Sequence, residues 1–246
     1  FFYFMHTRIK DNIKVIFPYR EKSNSKLNAI IAKLLEIIPD ITIIVVDDNS
    51  TPSYSAENLP VKILKNKNKM GKGASIQRAI YEYLNKDNQT IAILTADADG
   101  QHCANDILKA ITIWNNEKNN ELILSGERDF KNNAVPFFSK IGNLFSSIMV
   151  FIETGIMIPD TQNGLRIYPI SFFRKNKIYS NGFAFETETL VKALQKGYKF
   201  KSFPCETIYF PDRKSHFKIF RDSFVILGLH LKLMFSKIRT STFYKK

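Results

Sequence analysis

Short apolar runs alternate with longer stretches in which apolar positions recur every three or four residues. The short runs are Ile13 to Phe17, Ile41 to Val46, Val61 to Leu64, Ile91 to Thr95 and Glu121 to Gly126. Their length and β-branched content predict buried strands, the first stopped by Pro18. Leu27, Ile30, Ile31, Leu34, Leu35 and Ile38 keep helical spacing. Further helices are expected from Gly71-Lys72-Gly73 to about Leu84 and from Ala104 to Trp114. Strands alternating with helices imply βαβ units, hence an α/β chain with a Rossmann-like, mainly parallel sheet flanked by helices.

The second half is less regular. Phe137 to Ile152 is an apolar-rich helix, and Asp160-Thr-Gln-Asn-Gly-Leu-Arg166 leads into a strand through Tyr168. Phe185-Glu-Thr-Glu-Thr-Leu190 opens a helix to Lys196, with Gly197 suited to its C-terminal turn. Lys199 to Phe210 is extended, 213–218 is a basic loop, and a last helix covers Phe220 to about Ile238. There is no repeat, low-complexity tract or linker. A single domain over 9–218 is expected, followed by an amphipathic helix and basic tail over 219–246.

Polar clusters follow three of the apolar runs: Pro18 to Glu21, Asp47-Asp48 and Asp97-Ala98-Asp99. In a parallel sheet they converge on the edge where ligands bind. Asp97 and Asp99 lie on one side of an extended segment and repel each other unless a positive group joins them. A hard cation such as Mg²⁺ or Mn²⁺ that also bridges substrate phosphates meets that need. A plain strand-to-helix loop with an Asp near the helix start is the alternative.

Composition narrows the field. The chain has 246 residues, 44% of them hydrophobic, enough for a sizeable core. Its net charge of +13 favours anionic partners. Cys103 and Cys205 are far apart and lack metal-binding spacing, so a disulfide framework or zinc site is not expected and a reducing cytosol is. The chain opens Phe1-Phe2-Tyr3-Phe4-Met5, so it is either a fragment or starts at Met5; four aromatics are too few for a signal peptide. No run reaches the roughly 18 apolar residues of a membrane span. Ile141 to Ile158 is broken by Glu153, and Phe224 to Phe235 by His230 and Lys232.

The ordered set Pro18-Tyr19-Arg20-Glu21, Val46-Asp47-Asp48-Asn49-Ser50, Gly71-Lys72-Gly73, Asp97-Ala98-Asp99, Asp160 to Arg166 and Phe185 to Glu188 resembles family 2 glycosyltransferases. More narrowly it is similar to the dolichyl- and polyprenyl-phosphate sugar synthases, over about Ile13 to Lys218. The resemblance implies a GT-A fold, a nucleotide-sugar donor and a divalent metal, Mg²⁺ or Mn²⁺. It implies that Pro18, Tyr19 and Glu21 hold base and ribose, although Arg20 stands where the family usually has Asn. It puts Asp48 near the nucleoside, and Lys72 and Arg128 near the donor phosphates. Asp97, Ala98 and Asp99 match the Asp-x-Asp motif, Asp99 toward metal and Asp97 toward nucleotide. Gln101 matches a donor-site position, and Arg213 with His216 a late loop closing over the diphosphate.

The chemistry agrees. A departing nucleoside diphosphate gathers negative charge, which a metal with Lys72, Arg128 and Arg213 would stabilise. Gly71 and Gly73 are expected to let backbone approach phosphate, although the spacing is not that of a Walker loop. A hydroxyl acceptor needs a general base, for which Glu186, Glu188 and Asp160 are the candidates. A lipid phosphate needs orientation instead, and the Glu-Asp pair common among hydroxyl-using relatives is absent.

The expected activity is thus inverting transfer of a hexose from a UDP- or GDP-sugar to polyprenyl phosphate. A saccharide hydroxyl acceptor in cell-surface glycan synthesis is the alternative. The basic-flanked apolar stretch Phe224 to Phe235 suggests peripheral attachment to the inner face of a membrane; packing on the sheet is its other reading. A haloacid dehalogenase-type phosphatase fits Asp97-Ala-Asp-Gly100 but leaves Asp48 and Lys72 unexplained. A basic binding protein leaves the strand-end carboxylates unexplained, so no nucleic-acid partner is expected. Oligomeric state is left open.

Overall fold

The computed structural model describes residues 12–84, 87–117, 119–131, 135, 137–206 and 224–234. The predicted apolar runs become β1 (Ile13–Tyr19), β2 (Thr42–Asp47), β3 (Lys62–Lys65), β4 (Ala92–Thr95) and β5 (Leu122–Glu127). With β6 (Arg166–Pro169) and β7 (Lys199–Pro204) they form one sheet in the order β3-β2-β1-β4-β6-β5-β7. Among these strands β6 alone runs against the rest, pairing antiparallel with β4 and β5. This reversal starts β6 where β4 ends, with Arg166 opposite Thr95. The segment before β6 is thereby brought to the edge that carries Asp97 and Asp99.

Pro18 does not stop β1, contrary to expectation. Ala96 N–H donates to Ile16 O, so residues 16 and 18 turn their backbone polar groups toward β4. Pairing with β4 ends at Ile16–Thr95. The next rung would need an N–H on Pro18, so the ladder to β4 ends there while β1 continues beside β2 to Tyr19.

Side-chain alternation sends apolar residues to both faces of the sheet. Val15, Phe17, Ile43, Val45 and Leu94 pack under α1 (Ser25–Ile37) and α3 (Ala104–Asn116). Ile16, Ile44, Val46, Ile93 and Tyr168 face the other layer. That layer holds α2 (Lys72–Ala79), which runs into a π-helical turn at Ile80–Leu84, and α4 (Phe137–Thr154). It also holds α5 (Ile170–Lys175), a short helix the sequence pattern did not suggest, and α6 (Ala184–Gln195). Gly197 ends α6 at φ +87°, with its N–H on Leu194 O and Tyr198 N–H on Ala193 O.

Part of the predicted last helix is described as α7, residues 224–234. Ile226, His230 and Leu233 form its buried stripe. His230 Nδ1 lies 3.0 Å from both carboxylate oxygens of Glu153 on α4, both residues being buried. The remainder of that predicted helix, and 207–210 of the predicted extended stretch, lie outside the described residues.

The loop after β2 is closed by Asp47. Its buried carboxylate accepts Ser50 N–H at 2.8 Å, Ser50 Oγ at 2.6 Å and Tyr54 N–H at 2.9 Å. Asp47→Ala strands these donors and is expected to lower stability by about 2–3 kcal/mol. Urea unfolding tests this; a loss under about 0.5 kcal/mol, the scale of an ordinary surface change, would refute the role given to this carboxylate.

Candidate active site

The site grows from the C-terminal ends of β2 and β4 and the start of α2. Asp48 Oδ1 accepts Asn66 Nδ2 at 2.9 Å and Met70 N–H at 2.7 Å, while Oδ2 accepts Gly71 N–H at 2.9 Å. The carboxylate therefore pins the turn that opens α2. Gly71 has φ +99°, and a Cβ on it would lie 2.5 Å from Asn181 O. A Cβ on Gly73 would lie 2.6 Å from Phe185 Cβ. Both glycines thus give room to the chain's own 180–185 segment, a close approach within the chain that the sequence did not suggest.

That close approach sets Lys72 between two carboxylates. Its Nζ is 2.5 Å from Asp97 Oδ1 and 2.6 Å from Glu186 Oε1 in the first turn of α6. Burial opposes the Lys72 charge, yet Asp97 and Glu186 more than offset it and hold its pKa above the usual lysine value. Burial likewise would raise the Asp97 carboxyl, but Lys72 and His102 hold it well below the usual carboxylate range. His102 Nε2 is 3.6 Å from Asp97 Oδ2. Gly164 closes the other side: a Cβ there would collide with the Asp97 carboxylate.

Asp99 lies one step further along the chain and is only partly buried. Its Oδ1 accepts Gln101 N–H at 3.0 Å. Ala98 and Gln101 are buried beside it. Two strand-end carboxylates, one charge-compensated by Lys72, suit a hard cation that completes its shell with substrate phosphate and water. Among the described residues no group of three or more His, Cys, Asp or Glu forms a self-sufficient metal cage.

Across the site stands Arg128, just beyond β5. Its Nε and one terminal nitrogen each donate at 2.7 Å to Asp160, in a forked pair. Asp160 is 1% exposed and also accepts Arg128 N–H, Gln162 N–H and Asn163 Nδ2. Burial would raise its pKa, but Arg128 outweighs that and keeps it low. Such a carboxylate orients an arginine rather than taking a proton. Glu188 is similarly committed, accepting Tyr179 and Ser180 N–H and the Lys192 ammonium. Burial acts to raise its pKa and the Lys192 and Ser180 hydrogen bonds to lower it, and the lowering prevails.

Pro18 and Glu21 are partly buried at the end of β1. Tyr19 is fully buried, its hydroxyl donating to Asn24 Oδ1 at 2.8 Å, its ring 4.9 Å from that of Tyr54. Burial first, then Glu21 and Asp47, push its pKa up to about 12. Its side chain is thus a core element, and what it can offer a ligand is backbone. Arg213 and His216 lie outside the described residues.

Sequence reasoning missed three features. Arg166 is fully buried, donating to Ser125 Oγ, Tyr168 Oη and the carbonyls of Glu186 and Thr161. An arginine inside the apolar run Leu165 to Tyr168 was the available signal. Asn143 of α4 donates to Pro159 O and accepts from Thr161 N–H, fixing the Asp160 turn; no local pattern marks it. The Lys72–Glu186 contact joins residues that were each singled out, but not as partners.

Comparison with known proteins follows this geometry. The family model described as Glycosyl transferase family 2 matches residues 15–181. A UDP-N-acetylglucosamine–dolichyl-phosphate N-acetylglucosaminyltransferase of Methanococcus voltae is 29% identical over 143 residues, 56% of this chain and 54% of that protein. An uncharacterised protein of Methanocaldococcus jannaschii is 28% identical over 153 residues, 59% of this chain and 60% of its own. The chain thus matches little more than half the length of these relatives. Among solved structures, glucosyl-3-phosphoglycerate synthase of Mycobacterium tuberculosis with Mn²⁺ and UDP-glucose has a TM-score of 0.68 at 10% identity, covering 91% of this chain and 79% of that one. Mannosyl-3-phosphoglycerate synthase of Rubrobacter xylanophilus has a TM-score of 0.63 at 14% identity, covering 96% and 76%.

Two outcomes are expected from the site's packing. Gly164→Ala must move Asp97 or the backbone, at a cost of about 1–3 kcal/mol; urea unfolding indistinguishable from wild type would show that the close contact imposes nothing. Asp160 has its folded pKa below the ordinary 3.8. Its charge therefore contributes stability that is present above that value and lost as pH falls through the folded pKa. Asp160→Asn should cost about 1.5–3 kcal/mol near neutral pH. Its deficit against wild type should shrink in strong acid; a constant deficit across that range would count against the Arg128 pairing.

Proposed function

The chain belongs to glycosyl transferase family 2 and has the GT-A fold, and from that premise we propose the following reaction. It transfers a hexose, with inversion at the anomeric carbon, from a UDP- or GDP-sugar to a polyprenyl or dolichyl phosphate. The observation that carries this reading is the placement of Asp97 and Asp99 at the end of β4, facing Arg128 across the β6 approach.

Asp97 and Asp99 are the residues that would hold Mg²⁺ or Mn²⁺, and the metal would supply positive charge for the departing diphosphate. Lys72, ion-paired with Asp97 and Glu186, would bring its positive charge beside a donor phosphate oxygen. It also keeps Asp97 ionised. Pro18, Glu21 and the turn pinned by Asp48 bound the side on which the nucleoside would lie. Arg128, oriented by its forked pair with Asp160, would add positive charge beside the donor diphosphate.

A lipid phosphate oxygen attacks the anomeric carbon opposite the diphosphate. The new C–O bond forms as the bond to the diphosphate breaks, and no proton has to leave the acceptor. The state of the three candidate bases supports this choice over a saccharide hydroxyl: Asp160 is held by Arg128, Glu188 by two backbone N–H groups and Lys192, and Glu186 by Lys72. A lipid acceptor places the protein at a membrane surface, on its cytoplasmic side.

The test is a donor screen with Mg²⁺ or Mn²⁺ and extracted polyprenyl phosphate, reading release of UDP or GDP. Release should require metal and the lipid phosphate together. Asp99→Asn should retain the fold and lower turnover by about 100-fold or more, the scale for removing charge stabilisation from a transition state. Full activity in that variant would overturn the metal assignment. Release driven equally well by a sugar acceptor would overturn the lipid phosphate.

A further inference from the structure

Helix α4 is inside out. Its 18 residues carry the apolar repeat expected of a core helix, yet the side turned to the protein is largely polar. Asn143, Ser146, Ser147 and Glu153 are buried there with Val150. The outward side carries Ile141, Leu144, Phe145, Ile148, Phe151 and Ile152, all exposed, Leu144 at 61%. Exposed apolar residues scattered singly need no explanation; a continuous stripe along a helix does. The buried Glu153–His230 contact joins α7 to the inner side of α4, and α7 adds exposed Phe224, Val225 and Leu231.

Charge decides what covers this face. Lys140 and Glu153 are the charged residues of α4, and Glu153 is turned inward, so the outward stripe presents no acid. α7 adds exposed Lys232. In sequence α7 is preceded by Arg213, Lys214, Lys218 and Arg221 and followed by Lys237, Arg239, Lys245 and Lys246. An apolar stripe that carries no acid, with Lys140 and Lys232 as the cations of its helices and basic sequence on either side of α7, suits the acyl–headgroup boundary of an anionic bilayer. A second copy would instead set two chains of net charge +13 face to face.

We propose that α4, with α7 beside it, is the surface on which this protein rests in an anionic membrane, lying flat with the 141–152 stripe in the acyl boundary. From the sequence, membrane attachment was expected of the Phe224 to Phe235 stretch; this assignment gives the larger part of the contact to α4. It deepens the membrane element of the proposed function without depending on which acceptor is used. Through Asn143 the inner side of α4 holds the Asp160 turn and hence Arg128.

The test uses the full 246-residue chain and vesicles of phosphatidylcholine with or without phosphatidylglycerol, in the absence of sugar nucleotide. Wild type should float with the anionic vesicles. Leu144→Gln/Ile148→Gln/Phe151→Gln should bind at least about tenfold more weakly, because affinity follows buried apolar area. Its unfolding curve should match wild type, the changed side chains being exposed. In a second measurement, Ile148→Trp should show emission moving to the blue when anionic vesicles are added.

Vesicle binding unchanged in the triple variant, or no blue shift, would overturn the proposal. So would a wild-type dimer in sedimentation equilibrium that the triple variant converts to monomer, because the stripe would then be covered by a second copy. Donor turnover measured separately tells a failed membrane surface from a failed transferase reading.

Discussion

A single ammonium group holds the two halves of this site together. Lys72 comes from the start of α2, Asp97 from the end of β4 and Glu186 from the first turn of α6, and all three are largely withdrawn from water. Two carboxylates so placed would repel strongly without the cation, and the cation would be costly to bury without them. The neighbouring features serve that arrangement. Gly71 and Gly73 let the 180–185 segment come close enough to bring Glu186 within reach, and Gly164 leaves the space that the Asp97 carboxylate fills. Asp48 fixes the turn from which Lys72 projects.

The reversal of β6 makes the opposite wall. A sheet parallel throughout would start every strand at the far edge and leave the site with loops from one direction only. Because β6 begins where β4 ends, the turn that precedes it delivers Asp160, Asn163 and Gly164 beside Asp97 and Arg128. Buried Arg166 secures this entry by bridging Ser125 on β5 to the Glu186 and Thr161 carbonyls. Its guanidinium is satisfied by neutral acceptors, so it acts as a rigid strut between sheet, loop and helix rather than as half of an ion pair.

Much of this was legible because strands declare themselves locally. The apolar runs before Asp47 and Asp97 fixed where the sheet ends, and strand-end carboxylates in a parallel sheet can only converge. What stayed hidden depends on contacts distant in sequence. Nothing near Pro18 says that its missing N–H falls on the β4 side while pairing with β2 goes on to Tyr19, so its tolerance in a central strand could not be foreseen. The glycines around Lys72 carried a true signal of close approach, but composition does not say whether the neighbour is a ligand or the chain itself. Glu186 and Asp160 were visible as acids; that each is occupied by a cation is a property of the fold. Arg213 and His216 belong to a segment outside the described residues, and their place in the site rests on the resemblance alone.

Helix α4 shows where the reading of hydrophobic pattern needs a second criterion. Periodicity identified a helix and would ordinarily turn its apolar side to the core. The polar side of α4 has the stronger claim on the interior, because Asn143 and Glu153 find partners there that water could not order: the Pro159 and Thr161 backbone and the His230 imidazole. Once those contacts are made, helix geometry leaves the apolar residues no choice but to face outward. The same Asn143 that turns α4 over also sets the Asp160 turn. The exposure of the stripe and the aim of Arg128 are therefore one structural decision. On the proposed function, that one side chain would tie the membrane-facing side of α4 to the arginine expected beside the donor diphosphate.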